Sequence, residues 1–320
     1  MVLDLGPTTL ADLRPNLGRP RSLLGQFIQS FLLAYQVEGK TAKTLDRLRR
    51  TVGDFIRFAK EQGFPQEATK IHPNHIRLYL VHLQERGLQP VTRNWHYRCL
   101  HMFFEWLRRE GTTDKSPLDP IKPPRVPRKV VQTCTRDHIE KLLSLCPSTT
   151  FLGARDHAIL LMFLGTGLRR HELASLRLQD VDLNQECVKV MGKGAKERRV
   201  YLCKPIVKAL LSYMAFRKDH LDFLWVSEEG RPLESNGIRL AVYRLQKRAA
   251  IQGVRISSHT FRHTFAVNAL RAGISLRHLQ AIGGWANMRP LEIYLATIDA
   301  EDGMEVHRKA DPLGKMGVKG

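Results

Sequence analysis

Cysteine is scarce in this chain, and the cysteines it has are widely separated. Five occur in 320 residues, and no two of them form a CxxC pair: Cys99, Cys134, Cys146, Cys187 and Cys203. An odd number of cysteines at such spacing describes neither a disulfide framework nor a zinc ribbon. The sequence therefore predicts a reducing, intracellular compartment.

Long hydrophobic runs are absent as well. The longest apolar run, from Ala158 to Leu164, is much shorter than the roughly 20 residues that a helix needs to cross a bilayer. The N-terminus lacks a basic segment followed by an apolar one, so no signal peptide is evident. The sequence contains no internal repeat and no low-complexity tract. We expect a cytoplasmic protein with no membrane partner.

The usual motifs for nucleotide and metal binding are also missing. The Gly-Lys-Gly stretch at residues 192–194 does not satisfy GxxxxGK[ST] and lacks a strand-to-helix context, so it is not a P-loop. His259 and His263 stand four positions apart on a predicted helix, but Thr260 occupies the place where a zinc metalloprotease motif has glutamate. We expect neither a metal nor another cofactor.

Acidic residues are outnumbered by basic ones. The chain has 51 Lys and Arg against 31 Asp and Glu, which gives a formal net charge of +20. Such a balance indicates a polyanionic partner, nucleic acid before membrane. A solubility charge spread over all faces is the alternative that composition leaves open. At 43% hydrophobic residues, a chain of 320 residues can form two domains, each with its own core.

The N-terminal third predicts an irregular Gly- and Pro-rich arm over residues 1–20 and a helical domain over residues 21–112. Glycines between apolar-periodic segments separate four helices, at about 23–35, 41–62, 73–86 and 91–110. The second helix carries a basic stripe beside its apolar one: Lys43, Arg47, Arg50 and Arg57. This stripe is either a DNA-backbone footprint or a solvated face.

A proline-rich segment over residues 113–132 predicts an extended linker, because proline disfavours both helices and central strands. Three of its basic side chains are candidates to follow a phosphate backbone: Arg125, Arg128 and Lys129. A solvated linker is the alternative explanation.

Residues 133–300 predict a second domain of mixed structure. Thr135 is a plausible N-cap for a first helix, and an apolar helix follows at 155–164. Short β-branched runs at 186–191 and 197–202 flank a Gly- and Lys-rich tip and predict a β-hairpin. The remainder is mostly helical, ending with a helix at about 290–297. The fold class is therefore mainly α with a small β-sheet (α+β).

Three local patterns stand in this second domain. The first is TGLRRHEL at residues 166–173, the second is HTFRHT at residues 259–264, and the third is IGGW at residues 282–285, followed nine positions later by Tyr294. Each pattern alone can be explained without a catalytic role. Together and in this order, the three patterns resemble the tyrosine recombinase (lambda integrase) family. The resemblance is closest to Xer-type and phage or transposon integrase members and covers nearly the whole chain.

The resemblance implies a SAM-like core-binding domain, a linker and a catalytic domain. It also implies strand exchange between two double-stranded DNA sites by a homo-tetramer, with a tail at 301–320 that docks on a neighbouring protomer or simply remains a tail. The need for a partner recombinase or accessory protein stays open. The matched catalytic positions are Arg169, Lys193, His259, Arg262, Trp285 and Tyr294, with Glu172 in support. Trp285 stands where most members have histidine.

The chemistry of these residue types agrees with the resemblance. Guanidinium groups suit the non-bridging oxygens of a phosphodiester under attack, so Arg169 and Arg262 would form an electrostatic clamp. A phenol is protonated at neutral pH, so Tyr294 needs a proton acceptor, for which His259 is the candidate. Lys193 at the hairpin tip would protonate the leaving 5′-oxygen, while Trp285 offers packing and an indole N–H. Glu172 would orient the arginine and histidine side chains.

The product would be a 3′-phosphotyrosyl enzyme and a free 5′-hydroxyl, which conserves the phosphodiester energy for religation without metal or ATP. A type IB topoisomerase, which shares the clamp and the tyrosine, is the enzymatic alternative. A non-catalytic, sequence-specific DNA-binding protein is the alternative from another class.

Overall fold

The computed structural model describes residues 23–127, 131–192 and 197–311. The chain forms two compact units that divide between residues 128 and 129. Each unit buries its own hydrophobic core. The predicted arm at residues 1–20 lies outside the described residues. Helices dominate and the described strands form one small sheet, so the predicted fold class is confirmed.

The N-terminal unit is built from four helices at nearly the predicted positions: α1 (Leu24–Val37), α2 (Ala42–Glu61), α3 (Pro73–Glu85) and α4 (Pro90–Arg109). Thr41 begins α2 by accepting a hydrogen bond from the Thr44 backbone N–H at 3.3 Å, as expected of an N-cap. Large aromatic side chains from α1, α2 and α4 fill the interior, among them Phe31, Phe55 and Phe103, all fully buried.

The segment predicted as a linker packs on this unit for most of its described length. Residues 113–127 contain no helix or strand, as their prolines require. Leu118 is nevertheless only 1% exposed and joins the core. The Tyr97 hydroxyl donates to the Ile121 carbonyl at 2.7 Å, and the Asn94 side chain donates to the Pro124 carbonyl at 2.9 Å. Residues up to Pro124 therefore belong to the N-terminal unit.

The C-terminal unit contains eight α-helices and three strands among its described residues. Their order is α5 (Arg136–Ser144), α6 (Phe151–Thr166), α7 (Arg170–Ser175), β1 (Val181–Asp182), β2 (Cys187–Met191), β3 (Glu197–Tyr201), α8 (Lys204–Met214), α9 (Ser235–Arg248), α10 (Ser258–Arg271), α11 (Leu276–Gly283) and α12 (Glu292–Ala310). Thr135 caps α5 as predicted, accepting from the His138 N–H at 3.2 Å. The short strand β1 was not predicted.

The three strands form an antiparallel sheet in the order β1-β2-β3. Side chains alternate across a strand, and the inner face carries Val188, Val190 and Val200, none more than 3% exposed. Arg198 lies two residues before Val200 and so shares the face that turns toward the core.

A smaller apolar cluster joins α10, α11 and α12 and includes Phe265, Leu279, Leu291 and Tyr294. The last helix is longer than predicted, because α12 continues to Ala310. The predicted boundary between domain and tail at residues 300 and 301 therefore falls inside a helix. Among the described residues, no helix has both the length and the apolar character needed to cross a membrane.

Candidate active site

Arg169 is presented by the tight turn between α6 and α7. Gly167 has a φ of +61°, and a Cβ there would lie 2.2 Å from the Phe265 ring, so only glycine fits. Arg169 then starts α7: its backbone N–H donates to Glu172 Oε2 at 2.8 Å, and its Nη1 donates to Oε1 at 2.8 Å. The Arg169 side chain remains 39% exposed, which leaves it accessible to a ligand.

Arg262 projects from α10 into the interior and is 5% exposed. Its Nη1 donates to the Gly167 carbonyl at 2.5 Å and its Nη2 to the Gly283 carbonyl at 2.8 Å. Burial, together with the charge of Arg169, lowers the pKa of Arg262 to about 10. The guanidinium is therefore still charged at neutral pH, and its bonds to two carbonyls hold it in place.

Trp285 stacks on this arginine. The guanidinium carbon of Arg262 lies 3.7 Å from the centre of the Trp285 ring, a cation–π contact. The same indole meets the Tyr294 ring edge-on, with centroids 5.9 Å apart. A Cβ on Gly283 would lie 1.7 Å from the indole, so glycine is required for this packing. The packing role expected of Trp285 is present, while its bond to a phosphate stays a prediction.

Tyr294 lies in the first turn of α12 and is 3% exposed. Its hydroxyl is 3.0 Å from Nδ1 of His263. Burial raises the pKa of Tyr294, and the positive charges of Arg262 and Arg169 oppose that rise without cancelling it. The phenol is thus protonated in this state, and both clamp arginines act on it electrostatically.

The histidine that contacts the nucleophile candidate is not the one that the sequence predicts. His259, the expected proton acceptor, is exposed at the start of α10, whereas His263 lies one helical turn further on and makes the hydrogen bond to Tyr294. Burial, His259 and Arg262 together lower the pKa of His263, which favours the neutral imidazole. The four-residue spacing of the two histidines is the sequence signal that places them on one helix face.

Glu172 is buried between two arginines: Arg169 and Arg198, of which Arg198 is not among the predicted site residues. Arg198 of β3 donates from Nη1 and Nη2 to the two carboxylate oxygens of Glu172, at 3.2 and 2.8 Å. Burial alone would raise the pKa of Glu172, but its hydrogen bonds from Arg198 and Arg169 outweigh that effect and lower it. The carboxylate contacts described here are with arginines, not with the histidine that was also expected.

The remaining predicted residues either fall outside the described part of the chain or lie on the N-terminal unit. Lys193, Arg128 and Lys129 fall outside the described residues. Lys43 and Arg125 are exposed on the N-terminal unit. The other stripe residues of α2 are also exposed there: Arg50 pairs with Asp46 at 2.8 Å, Arg57 pairs with Asp54 at 3.1 Å, and Arg47 stacks 3.6 Å from the Trp95 ring centre.

A cavity of about 780 Å³ opens beside His259, between α9 and the start of α10. None of its described lining residues is acidic, and four are arginine or lysine: Arg170, Arg239, Lys247 and Arg255. Burial lowers the pKa of His259, and the positive charges of Arg262, Arg170 and Arg169 lower it further. The cavity therefore offers a positive surface next to the clamp, suited to a polyanion.

Comparison with known families agrees with this geometry. Residues 132–301 match the phage integrase family, and residues 27–113 match the phage integrase N-terminal SAM-like domain. The chain belongs to the phage integrase family. The predicted membership of the tyrosine recombinases is thereby confirmed, and with it the prediction of an enzyme that breaks and rejoins DNA in site-specific recombination.

Curated relatives match this family member over almost its full length. It is 30% identical to tyrosine recombinase XerA of Thermococcus kodakarensis over 293 residues, covering 91% of this chain and 97% of the relative. It is 31% identical to tyrosine recombinase XerC of Thermodesulfovibrio yellowstonii over 301 residues, covering 90% and 97%.

Solved structures share the fold at lower identity. The Tn1549 transposon integrase in complex with a circular intermediate DNA is 18% identical, with a TM-score of 0.70 over 89% of this chain and 99% of that one. The XerH site-specific recombinase bound to palindromic difH substrate is also 18% identical, with a TM-score of 0.70 over 90% and 84%.

Proposed function

We propose that this recombinase cleaves double-stranded DNA through Tyr294. The phenolic oxygen forms a bond to phosphorus, and the bond from phosphorus to the 5′-oxygen breaks, which leaves a 3′-phosphotyrosyl enzyme. The single observation that carries the proposal is that a buried tyrosine hydroxyl shares one cluster with two fixed guanidinium groups whose charges act on its pKa.

Arg169 and Arg262 bind the non-bridging oxygens of the scissile phosphate. Both are held by backbone carbonyls before substrate arrives, so little reorganisation is needed when charge develops in the transition state. Arg169 is the more exposed of the two arginines and therefore contacts the phosphate first.

His263 accepts the proton that Tyr294 gives up. A neutral imidazole that carries its proton on Nε2 presents a lone pair at Nδ1, the atom that lies 3.0 Å from the hydroxyl. His259 faces the basic cavity instead, where a neutral imidazole can donate to a phosphate oxygen. Lys193 gives the leaving 5′-oxygen its proton, and the reverse transfers rejoin the strand.

The helical domain predicted over residues 21–112, which lies within the N-terminal unit, binds the DNA backbone with the exposed basic face of α2. Recombination joins four strands, so a homo-tetramer on two DNA sites is the working assembly. Tail residues 301–320 would dock on a neighbouring protomer, and a partner recombinase is compatible with this arrangement.

A nicked suicide substrate tests the proposal. The DNA site is first selected by the protein from a pool of random-sequence duplexes, and a nick is then placed so that cleavage releases a short fragment and traps the adduct. The wild-type chain forms a covalent protein–DNA band under denaturing conditions. A wild-type chain that binds the selected site but never forms this band would refute the proposal.

A further inference from the structure

Arg198 is an arginine of the C-terminal unit to which the catalytic scheme above gives no role. It stands on β3 and is 12% exposed, because strand alternation places it on the same inner face as the buried Val200. Each of its three nitrogens donates to a protein oxygen: Nη1 and Nη2 to Glu172, and Nε to the Ile282 carbonyl at 2.8 Å. Such a side chain is poorly placed to bind a phosphate itself.

The carboxylate of Glu172 links Arg198 to a clamp arginine. Oε1 accepts from Nη1 of both Arg169 and Arg198, and Oε2 accepts from the Arg169 backbone and from Nη2 of Arg198. Two-pronged pairing of a guanidinium with a carboxylate fixes orientation as well as distance. If Arg198 were lost, the Glu172 carboxylate would be held only by its two bonds from Arg169, and the geometry it imposes on Arg169 would loosen.

The end of α11 provides a second link. The last carbonyls of a helix lack partners within the helix and lie at its negative end. Here three successive carbonyls receive guanidinium donors: Ile282 from Arg198, Gly283 from Arg262 and Gly284 from Arg169. Gly284 permits this approach, since a Cβ there would lie 2.9 Å from the Arg198 guanidinium. Trp285, which covers Arg262, follows immediately.

We propose that Arg198 is a positioning residue for the phosphate clamp, acting through Glu172 on Arg169 and through the end of α11 on Arg262 and Trp285. This inference rests on the proposed cleavage reaction. It predicts a defect in the chemical step on DNA that is already bound, rather than a defect in binding.

The neighbouring arginine is a matched control. Arg199 points to the opposite, exposed face of β3, where its Nη1 donates to the Gln185 side chain at 3.0 Å. Arg198→Gln and Arg199→Gln remove the same charge from adjacent positions of one strand. The rate of adduct formation is measured on the nicked, selected site at saturating protein. We expect Arg198→Gln to slow it about 30-fold or more, the order of magnitude for a displaced catalytic group. We expect Arg199→Gln to slow it less than about threefold.

A modified substrate separates positioning of the clamp from a general weakening of the fold. A methylphosphonate at the scissile position replaces one charged oxygen with a neutral methyl group, so less negative charge has to be stabilised. We expect the ratio of wild-type to Arg198→Gln rate to shrink at least fivefold on this substrate, as it should for Arg169→Ala. Merely lowered stability would slow both substrates alike.

Two further variants keep the inference falsifiable if Arg198→Gln folds poorly. Arg198→Lys keeps the charge but cannot pair with both oxygens of Glu172 and the Ile282 carbonyl together, so it should remain slow. Adding Arg198→Lys to Glu172→Gln should slow adduct formation little further, because the Arg198 and Glu172 side chains act as one unit. Wild-type rates in Arg198→Lys, or equal rates in Arg198→Gln and Arg199→Gln, overturn the inference. No adduct from the wild-type chain would instead overturn the proposed function.

Discussion

The described residues of both units contain the same two small motifs, but the candidate active site lies in the C-terminal unit. In the N-terminal unit, the Tyr79 hydroxyl lies 2.9 Å from Nδ1 of His96, much as Tyr294 lies 3.0 Å from His263. Likewise Arg47 stacks on Trp95 at 3.6 Å, and Arg262 stacks on Trp285 at 3.7 Å. Neither motif alone therefore identifies the site.

The difference lies in how the motifs are combined. In the C-terminal unit the stacked tryptophan also touches the tyrosine, and two arginine charges oppose the rise in the pKa of Tyr294 that burial causes. Burial raises the pKa of Tyr79 well above its usual range, with the Asp54 carboxylate adding to the rise. Each tyrosine thus has a histidine partner of its own. The charges that act on the pKa of Tyr294 are both arginines, whereas at Tyr79 the Asp54 carboxylate raises the pKa against the opposing charges of Arg86 and Arg57.

The largest expected effect separates the two tyrosines. Tyr294→Phe should abolish the covalent adduct on the nicked site while DNA binding survives, because no other oxygen takes the place of the hydroxyl. Tyr79→Phe should still form the adduct but should lower the free energy of unfolding by about 1–3 kcal/mol, because it leaves His96 without its partner. Denaturing gels measure the adduct, and urea unfolding measures the change in stability. An adduct from Tyr294→Phe would contradict the assignment of Tyr294 as the nucleophile.

The stacked arginines should differ next. Arg262→Ala should reduce the rate of adduct formation about 10²- to 10³-fold at saturating DNA, the size expected when one preorganised donor to a developing charge is lost. Arg47→Ala should mainly weaken binding, with less than a tenfold change in that rate. Single-turnover kinetics with protein in excess distinguish a rate defect from a binding defect. Equal rate defects in the two variants would contradict the distinction.

The two histidines give a smaller but more specific test. His263→Phe should slow adduct formation by about 10²-fold, the lower end for loss of a general base, whereas His96→Phe should not change the rate. The pKa of His263 is lowered, so its neutral, accepting form persists to lower pH than in a free histidine. The wild-type rate should therefore fall only when the pH drops below that lowered pKa, and His263→Phe should lose this dependence. The same loss in His259→Phe but not in His263→Phe would return the role to His259.

The smallest effects concern the exposed basic face of α2. If Arg50 and Arg57 contact phosphates, replacing either with Gln should weaken DNA binding a few-fold and reduce the slope of log affinity against log salt by about one. Affinity titrations at several salt concentrations check this, with the cleavage rate at saturation as the control. An unchanged slope would mean that these side chains only pair with Asp46 and Asp54 on the surface.

Local patterns predicted most of the secondary structure. Helix α2 was expected at 41–62 and is found at Ala42–Glu61, because its apolar stripe and its N-cap Thr41 are both local signals. The strand β1 was missed because it has two residues and exists only by pairing with β2. Helix α12 runs past Gly303 to Ala310, since one glycine costs a helix only about 1 kcal/mol.

The sequence by itself determined the family, the mainly helical fold and the candidates for the clamp arginines and the nucleophilic tyrosine, because their types and spacing recur as short motifs. Only the tertiary structure decided which partners those residues have. Arg198 meets Glu172 across 26 positions, and His263 meets Tyr294 across 31. Contacts between residues so far apart in the sequence depend on how α7, α10, α11, α12 and β3 pack together. No local spacing in the sequence indicates which of these residues become partners.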